Sequence, residues 1–404
     1  MDGAWEAAQA WARSGVMALS GWAHQPPVLP PLGLPAWLDD LADEIQQRTG
    51  VAVFWPAALA GRAALLGFSR QGRLSPNGSC RLLPAPDGWV ALNLPRSQDM
   101  DLIPALTEGP VAEPWDAVEA YAGRTPAADF VDRARLLGLA AARLGESVAG
   151  LGLEPWVTVD RWRRRAGGPS GSWRVVDLSS LWAGPVVARV LAAAGATVTR
   201  IEDEGRPDGA RAAPAFHQWI HAPGELTETV DLHSRSGRDR AAALIDGADV
   251  VIEGSRPRAL ERLGLGPGDR PDRPGRVWLS ITGHGREGPN RDWVAFGDDA
   301  AVAGGLVGWD TAGEPVFAGD AIADPLSGLA GAVAVLRTLD RGGGQLIDLA
   351  MSRVAAFGAA LRPEAPDCPV VVGPDGDGGW LVQAGTGREP IREQVDRLEW
   401  ISRG

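Results

Sequence analysis

Beyond residue 173, short apolar runs alternate with helical patterns, and this alternation constrains the fold more than any other feature of the chain. Strand-type runs occur at residues 174–178, 197–201, 249–252, 276–282 and 345–349. Helical spacing occurs at residues 185–194, 237–247, 257–263 and 326–338. Strands that alternate with helices of this length are typical of parallel βαβ units. We therefore predict an α/β fold with an open, mostly parallel, doubly wound sheet and helices on both faces.

Residues 1–159 show a less regular pattern, which predicts a smaller α+β domain. Helical spacing occurs at residues 6–13, 36–47, 115–122 and 128–144, and residues 79–95 are typical of a hairpin that turns at Pro86-Asp87-Gly88. A charged, glycine-rich stretch at 160–172 indicates a linker between the two regions. Its arginines are candidates for a phosphate patch, although a solvated linker explains them more simply.

The composition limits the classes of ligand and compartment. The chain has 404 residues, 45% of them hydrophobic, and its formal net charge is −12. An acidic chain is a poor general nucleic-acid binder, because such proteins need a basic face for phosphates. No cysteine or histidine cluster has zinc spacing, so no metal site is predicted. The apolar runs are too short for a bilayer and the N-terminus lacks a basic signal-peptide region, so we expect a cytoplasmic protein with no membrane partner.

Two segments at predicted strand ends suit an anionic ligand. Trp182-Ala183-Gly184-Pro185 joins the first strand to its helix, and a helix start of this kind leaves free backbone N–H groups. Residues 253–257 follow another strand, with Arg258 and Arg262 nearby, and arginine suits phosphate. Ligands of open α/β sheets lie at such strand ends. Taken alone, both segments also fit ordinary helix starts with solvated arginines.

Two further segments carry groups suited to chemistry. Residues 282–289 form a glycine-rich loop in which His284 is a candidate acid or base, though a structural role is simpler. Asp324 and Pro325 precede the predicted helix at 326–338, where local chemistry favours Asp324 as a helix cap. Asp298 and Asp299 fit a helix start before residues 300–306.

The sequence also contains one internal similarity. Residues 14–22 (SGVMALSGW) are followed by Pro-Pro-Val, an apolar helix and a glycine turn. Residues 304–309 (GGLVGW) are followed by Glu-Pro-Val, a helix and a glycine turn. We interpret the two stretches as candidate diverged copies, with a chance match as the alternative.

Taken in order, five segments make the chain resemble the family III CoA-transferases, the CaiB/BaiF type that includes formyl-CoA transferase and α-methylacyl-CoA racemases. The segments are VVDLSSLWAGPVVARVLAAAGATVTRIE (175–202), TVDLHSRSGRDRAAALIDGADVVIEGSRPRALERLGLGP (229–267), LSITGHGREGP (279–289), GDAIADPLSGLAGAVAVL (319–336) and GGGQLIDLAMSRVAA (342–356). Each motif alone is weak, whereas the ordered series is specific. The resemblance implies a Rossmann-like CoA-binding and catalytic region at 173–404. Because the family's unit is a ring-shaped chain interlocked with a second one, it also implies a homo-oligomer, expected as a dimer.

The resemblance also assigns roles to individual residues. The family's catalytic aspartate lies in a segment that matches Gly319 to Gly328, which makes Asp324 the expected nucleophile. The residues expected by resemblance to contact CoA are Trp182, Ala183, Val230, Asp231, Leu232, His233, Gly254, Ser255, Arg256, Arg262, Ala295, Phe296, Gly297 and Asp298.

The chain departs from the family pattern at several places. Trp182 stands where formyl-CoA transferases carry Gln, and Asp203 stands where that branch has a CoA-contacting Arg. Gly297 occupies the place of a racemase acid/base aspartate. Residues 72–96 and 125–146 resemble the family's later, small-domain part, so 1–159 is expected to be a small-domain-like region that here comes first. This reversed order indicates a circular permutation or a truncated tandem.

We therefore expect an enzyme that moves CoA between an acyl-CoA and a carboxylic acid through an aspartyl anhydride and an aspartyl-CoA thioester. Acyl-CoA is the expected CoA-carrying substrate, and no metal is expected. A catalytically silent CoA-binding homologue or subunit is the main alternative, and an acyl-CoA racemase is a weaker one because of Gly297. A nicotinamide dehydrogenase is set aside, since no GxGxxG follows the first strand.

Overall fold

A computed structural model describes residues 3–109, 112–149, 154–165, 172–221, 223–362 and 369–403. The α-helices of these ranges are α1 (Gly3–Ser14), α2 (Leu34–Thr49), α3 (Trp55–Leu66), α4 (Ser97–Met100), α5 (Ile103–Thr107), α6 (Pro114–Ala122), α7 (Ala127–Leu136), α8 (Ala183–Ala193), α9 (Pro214–Ile220), α10 (Arg235–Gly247), α11 (Pro257–Arg262), α12 (Gly297–Ala303), α13 (Ala323–Asp340) and α14 (Met351–Ala360). None of these helices is long and apolar enough to cross a membrane.

The β-strands of the described ranges form one large sheet and several small ones. In chain order they are β1 (Val51–Val53), β2 (Cys80–Ala85), β3 (Gly88–Asn93), β4 (Ala140–Arg143), β5 (Trp156–Asp160), β6 (Arg174–Leu178), β7 (Thr197–Asp203), β8 (Leu226–Val230), β9 (Val250–Glu253), β10 (Val277–Thr282), β11 (Gly308–Trp309), β12 (Pro315–Val316), β13 (Gln345–Ala350), β14 (Val371–Pro374), β15 (Trp380–Ala384), β16 (Gly387–Pro390) and β17 (Ile401–Arg403).

The large sheet has seven strands in the order β5-β13-β10-β9-β6-β7-β8. All neighbouring pairs are parallel except the edge strand β5, which runs antiparallel to β13. The predicted open, mostly parallel α/β sheet is therefore confirmed. The strands predicted at 174–178, 249–252 and 276–282 are β6, β9 and β10, with ends that move by at most one residue.

Helices cover both faces of this sheet, because successive strand residues point to opposite faces. Val175 and Val250 pack into a core with α8 and α13, whereas their neighbours Val176 and Val251 pack into a second core with α10. Glycine permits the close crossing of α13 over α8. A Cβ on Gly328 would lie 2.5 Å from the Cβ of Val186.

The smaller α+β unit is also present. Strands β2, β3 and β4 form an antiparallel sheet, and the predicted hairpin turns between Ala85 and Gly88. Its apolar side chains form a separate core with α5, α6 and α7. The helix predicted at 128–144 is wrong beyond Leu136, because Gly138 adopts a φ of 81° and the chain turns into β4. Glycine alone adopts that conformation without strain.

The first three helices pack with the large sheet rather than with the small one. Leu38, Leu59 and Ala60 belong to the same core as Val186 and Leu329. The division into 1–159 and 173–404 stays a prediction. Of the predicted linker, residues 166–171 lie outside the described ranges.

The two stretches of the internal similarity build the same succession of elements. The first is followed by α2, β1, α3 and the β2–β3 hairpin, and the second by α13, β13, α14 and the β14–β15 hairpin. Strand β1 pairs antiparallel with β17 as β13 pairs with β5. The second residue of α2 is Pro35, whereas that of α13 is Asp324, so only the second stretch carries a carboxylate at this place. The shared order supports the reading as diverged copies.

The crossing of α8 and α13 gives a stability prediction. Gly328→Ala adds a Cβ that also meets the Ala183 carbonyl oxygen at 2.8 Å, so we expect it to lower the free energy of unfolding by about 1–3 kcal/mol, less what alanine's better helix propensity restores. Denaturant unfolding measures this change. The control is Gly373→Ala, where a Cβ meets nothing within 4 Å and stability should change by less than about 0.5 kcal/mol. Equal effects of the two substitutions would contradict this packing.

Candidate active site

The site is built around the first turn of α13, which carries Asp324. The helix begins at Ala323, so Asp324 is its second residue and not the cap that local chemistry favoured. A tight turn comes before it, with φ of 80° at Gly319 and 42° at Ala321. A positive φ is strained for alanine, so the surrounding contacts must hold this turn in place.

Asp298 supplies one of those contacts from the first turn of α12. Its Oδ1 accepts a hydrogen bond of 2.9 Å from the backbone N–H of Ala321. Its Oδ2 accepts from the Asn77 side chain at 2.7 Å. The same Asn77 amide nitrogen lies 3.1 Å from Asp320 Oδ1. Asp298 therefore holds the strained turn and joins it to the segment around Asn77.

The predicted helix start at Asp298 and Asp299 is confirmed. Helix α12 begins at Gly297, and Asp299 Oδ1 accepts from the Phe296 backbone N–H at 2.9 Å. The same oxygen accepts from the Asn93 side chain at 2.9 Å. Asp299 thus caps α12 and connects it to the small sheet.

Gly297 lies directly against Asp324. Its backbone N–H donates to the Asp324 carboxylate, and this bond lowers the pKa of the carboxyl. A Cβ at this position would lie 2.3 Å from the Ala321 carbonyl oxygen and 2.5 Å from Asp324 Oδ2. Any side chain at 297 therefore competes with Asp324 for the same space.

Four carboxylates gather here, and only one of them reaches the surface. Asp298, Asp299 and Asp320 are 3%, 0% and 1% exposed, whereas Asp324 is half-buried. Burial raises the pKa of Asp324 to about 7, and the charges of Asp298 and Asp320 act in the same direction. Burial likewise raises the pKa of Asp298 to about 6 and that of Asp299 to about 7. These three carboxyl groups therefore have pKa values close to neutral pH instead of the usual acidic range.

Arg62 of α3 is the cation of this cluster. Its Nε lies 2.9 Å from Asp320 Oδ2, and its Nη2 donates to Asp320 Oδ1 at 3.0 Å. Its positive charge lowers the pKa of both Asp324 and Asp298. No sequence pattern pointed to Arg62, because it comes from an alanine-rich helix far from Asp324 along the chain.

Trp182 and Ala183 lie at the start of α8, behind this cluster. The Trp182 ring is fully buried, meets Phe216 edge-on at 5.4 Å and lies 4.9 Å beneath the Arg62 guanidinium. Ala183 is 6% exposed. In this structure Trp182 faces protein on all sides, and its contact with CoA stays a prediction.

Other predicted CoA-binding residues lie at the carboxyl ends of β8 and β9, on the same edge of the sheet. Val230 is buried at the end of β8, Asp231 and Leu232 are half-buried, and His233 is exposed. The Leu232 backbone N–H donates to Asp203 at 3.2 Å, so Asp203 fixes this loop. Gly254 and Arg256 are exposed after β9, with Ser255 half-buried between them.

Arg256 comes directly before the short helix α11, and Arg262 is its last residue. Both are exposed, and neither forms an ion pair within the described ranges. Arg258 of the same helix instead pairs with Asp292 at 2.9 Å. Before α12, Ala295 and Phe296 are half-buried. The strand-end residues and the helix starts thus lie on the edge where open α/β sheets bind ligands.

The glycine-rich loop does not present a charged histidine. Burial and the nearby Arg135 lower the pKa of His284 to about 3. His284 lines a cavity of about 190 Å³ together with Arg135, Glu146 and Trp293. Two backbone donors of the loop already have partners, since Gly285 donates to Thr282 and Arg286 donates to Asp348. At neutral pH His284 is therefore uncharged, and those two amides are not free for a substrate.

One group of side chains has the composition of a metal site. Asp208, His217 and His221 place a ligand atom each within 4.8 Å of one another. The Arg200 guanidinium, however, bonds to both Asp208 and His221. A cation bound among them would face the Arg200 charge, so we interpret this group as an ion-pair network.

The chain is similar in sequence to known proteins. Residues 172–363 match the family model described as CoA-transferase family III. An acyl-CoA transferase of Fusarium pseudograminearum is 32% identical over 200 residues, which cover 44% of this chain and 44% of the relative. A succinyl-CoA–D-citramalate CoA-transferase of Chloroflexus aurantiacus is 28% identical over 246 residues, which cover 53% of this chain and 61% of the relative. The chain thus spans about half the length of these relatives.

Solved structures are also similar to this chain. A CaiB/BaiF family protein from Brucella suis aligns with a TM-score of 0.46 and 25% identity. The alignment covers 54% of this chain and 66% of that protein.

The buried carboxylates give a prediction for stability against pH. A group whose pKa is raised on folding stabilises the fold at low pH, and this contribution is lost as pH rises through the raised pKa. For Asp299 the loss falls between about pH 4 and its pKa of about 7, and amounts to a few kcal/mol. Asp299→Asn removes the titration, so its unfolding free energy should fall less between pH 5 and pH 8 than that of the unmodified chain.

Urea unfolding at both pH values measures the difference. Asp116→Asn, an exposed change in α6, should follow the unmodified chain. Parallel pH dependences for the unmodified chain and Asp299→Asn would contradict the raised pKa of Asp299.

Proposed function

We propose that this chain, whose residues 172–363 belong to CoA-transferase family III, moves CoA between an acyl-CoA and a carboxylic acid with Asp324 as the nucleophile. One observation carries the assignment to Asp324. It is the one carboxylate of the four in its cluster that is not fully buried, and it stands at the positive end of the 18-residue helix α13.

The reaction proceeds by exchange of acyl groups on the Asp324 carboxylate. A carboxylate oxygen attacks the thioester carbonyl of the donor, the C–S bond breaks, and an aspartyl anhydride and CoA thiolate form. The thiolate attacks the aspartyl carbonyl, which releases the donor acid and leaves an aspartyl-CoA thioester. The acceptor carboxylate then displaces the thiolate to form a second anhydride, and the thiolate takes the acceptor's acyl group and restores Asp324.

The electrostatic surroundings of Asp324 suit these reaction steps. A carboxylate attacks only when it is ionised, and a pKa near 7 leaves a large ionised fraction at neutral pH while partial desolvation keeps the oxygen reactive. The backbone N–H of Gly297 donates to the Asp324 carboxylate, and the positive end of the α13 dipole adds a favourable field at the same place. Both stabilise the negative charge of the Asp324 carboxylate from which the proposed attack starts.

Gly297 supports transfer over racemisation. A racemase requires a second proton carrier at this place, and a Cβ here would already lie 2.5 Å from Asp324 Oδ2. Asp298, the adjacent carboxylate, has both oxygens bonded to Ala321 and Asn77 and is 3% exposed. The structure thus offers a single accessible carboxylate for covalent chemistry at this site.

The CoA phosphates are proposed to bind Arg256 and Arg262, the exposed arginines beyond β9 that lack an ion-pair partner within the described ranges. The two relatives named above are called an acyl-CoA transferase and a succinyl-CoA–D-citramalate CoA-transferase, so short dicarboxylic acyl-CoAs are the first substrates to test. The homodimer implied by the family resemblance is part of the same proposal, and a mass of twice 42.4 kDa in light scattering is its expected result.

Removal of the nucleophile is the test of the proposed function. Asp324→Asn and Asp324→Ala should lower the rate of CoA transfer by about three orders of magnitude or more, because no neighbouring carboxylate can replace the covalent step. Transfer from a panel of acyl-CoAs to matched acids is followed by chromatography. Asp340→Asn, at the other end of the same helix, is the control and should retain activity. Full activity in Asp324→Ala would overturn the assignment.

The arginines beyond β9 give a second prediction. Arg256→Gln and Arg262→Gln should each weaken CoA binding about tenfold or more, since each removes a charge-assisted bond to phosphate. Calorimetric titration with CoA measures the affinity. Arg258→Gln is the matched control, because Arg258 lies on the same helix but pairs with Asp292. Equal losses for all three variants would indicate a general charge effect and contradict specific phosphate contacts.

A further inference from the structure

We propose that Arg62, which α3 contributes from outside the family segment, is the positioning cation that keeps the Asp324 carboxylate ionised for attack. This inference deepens the proposed function and takes its catalytic meaning from it. It makes the N-terminal helices a working part of the site rather than a separate unit. Residues 172–363 carry the nucleophile, and α3 supplies the charge that balances it.

A pocket of aromatic side chains surrounds the Arg62 guanidinium. Its guanidinium lies 4.9 Å from the Trp182 ring, 5.6 Å from the Phe216 ring and 5.7 Å from the Phe68 ring. Its side chain is 17% exposed, and both Nε and Nη2 meet Asp320. Aromatic faces stabilise a cation most when water is excluded. Trp182, at the place of a family glutamine, therefore has a role here as one wall of the Arg62 pocket.

A glycine in α3 allows this helix to pack closely against α9. A Cβ on Gly61, next to Arg62, would lie 2.5 Å from the Trp219 ring of α9. The glycine lets α3 lie close against α9, which carries Phe216 on the other side of the pocket. The position of Arg62 thus follows from tight helix packing and not from a flexible surface side chain.

A continuous set of contacts joins Arg62 to the nucleophile. Arg62 pairs with Asp320, Asp320 accepts from Asn77, and Asn77 also donates to Asp298. Asp298 in turn holds the Ala321 N–H in the turn that presents Asp324. The charge of Arg62 therefore acts on Asp324 both directly and by fixing the turn.

Among the charged groups near Asp324, Arg62 is the cation and the others are carboxylates. Asp298 faces it from α12 and Asp320 from the preceding turn, and both are negative when ionised. Arg62 faces it from α3. The chain contains no lysine, and within the described ranges no other arginine forms an ion pair with Asp298, Asp320 or Asp324. Without Arg62, the carboxylates of this cluster would have no arginine ion pair among the described residues.

A direct titration of Asp324 tests the proposal without any substrate. Infrared difference spectra between each protein and its Asp324→Asn partner isolate the protonated carboxyl band of Asp324, and its pH midpoint is recorded. Arg62→Met should raise the midpoint, since a cation is lost, whereas Asp320→Asn should lower it, since an anion is lost. Arg62→Lys keeps the charge and should restore a midpoint near that of the unmodified chain.

A double variant tests the proposal even if Arg62→Met alone does not fold. In Arg62→Met/Asp320→Asn both partners of the ion pair are neutral, so no buried charge is left unpaired. Its midpoint should lie about one pH unit or more above that of Asp320→Asn alone. Arg13→Met, an exposed arginine of α1 whose side chain is 53% exposed, should cause no shift. Equal midpoints in Asp320→Asn and the double variant overturn the proposal.

The proposed function is judged separately by trapping. Incubation with succinyl-CoA and hydroxylamine followed by mass mapping shows whether Asp324 becomes acylated. Loss of trapping in the unmodified chain across a panel of acyl-CoAs counts against the transferase, whatever the titration gives. An unshifted titration with normal trapping counts against Arg62 alone.

Discussion

The hydrogen bond from the Ala321 backbone N–H to Asp298 fixes the turn from which α13 begins, and the geometry of the whole site follows from it. The turn includes an alanine at positive φ, a conformation that persists only where neighbours hold it. Asp298 can accept this bond because α12 begins one residue earlier, at Gly297. The missing side chain of Gly297 leaves the space that the Asp324 carboxylate occupies.

This arrangement concentrates negative charge, and the molecule compensates for it from a distant part of the chain. Three fully buried carboxylates lie in or beside the turn, and Arg62 pairs with one of them, Asp320, from a position 258 residues away along the chain. A buried carboxylate without a partner becomes protonated, so the balance between Arg62 and its neighbours sets the ionised fraction of Asp324, the proposed nucleophile. Under the proposed function the N-terminal helices therefore contribute to the chemistry as well as to the hydrophobic core.

The sequence predicts buried strands well and exposed strands or alanine-rich segments poorly. Strands β6, β9 and β10 were predicted to within a residue at each end, because strands buried on both faces are continuous apolar runs. Strand β8 was missed, since four of its five residues are not buried and its sequence LTETV shows little apolar pattern. Helix α7 was predicted too long because the alanine-rich β4 continues its composition beyond Gly138.

In the candidate site, too, some residues could be predicted from the sequence and others could not. Only the ordered series of family motifs predicts a catalytic role for Asp324, since its local chemistry resembles an ordinary helix start, and that role stays a prediction. Arg62, Asn77 and Asp320 were missed, because their roles come from contacts between segments more than 200 residues apart along the chain. The internal similarity was visible in sequence as a short glycine-tryptophan match. The structure extends it to a shared order of helices and strands.

The central claim is that the Asp324 carboxylate itself exchanges acyl groups, and isotope transfer tests it most directly. In the proposed steps one oxygen of the acceptor acid remains on the aspartate when its acyl group leaves with CoA. A single turnover with an acceptor carboxylic acid labelled with heavy oxygen should therefore place one labelled oxygen in the peptide that contains Asp324. Completed CoA transfer with no label in that peptide would contradict the account.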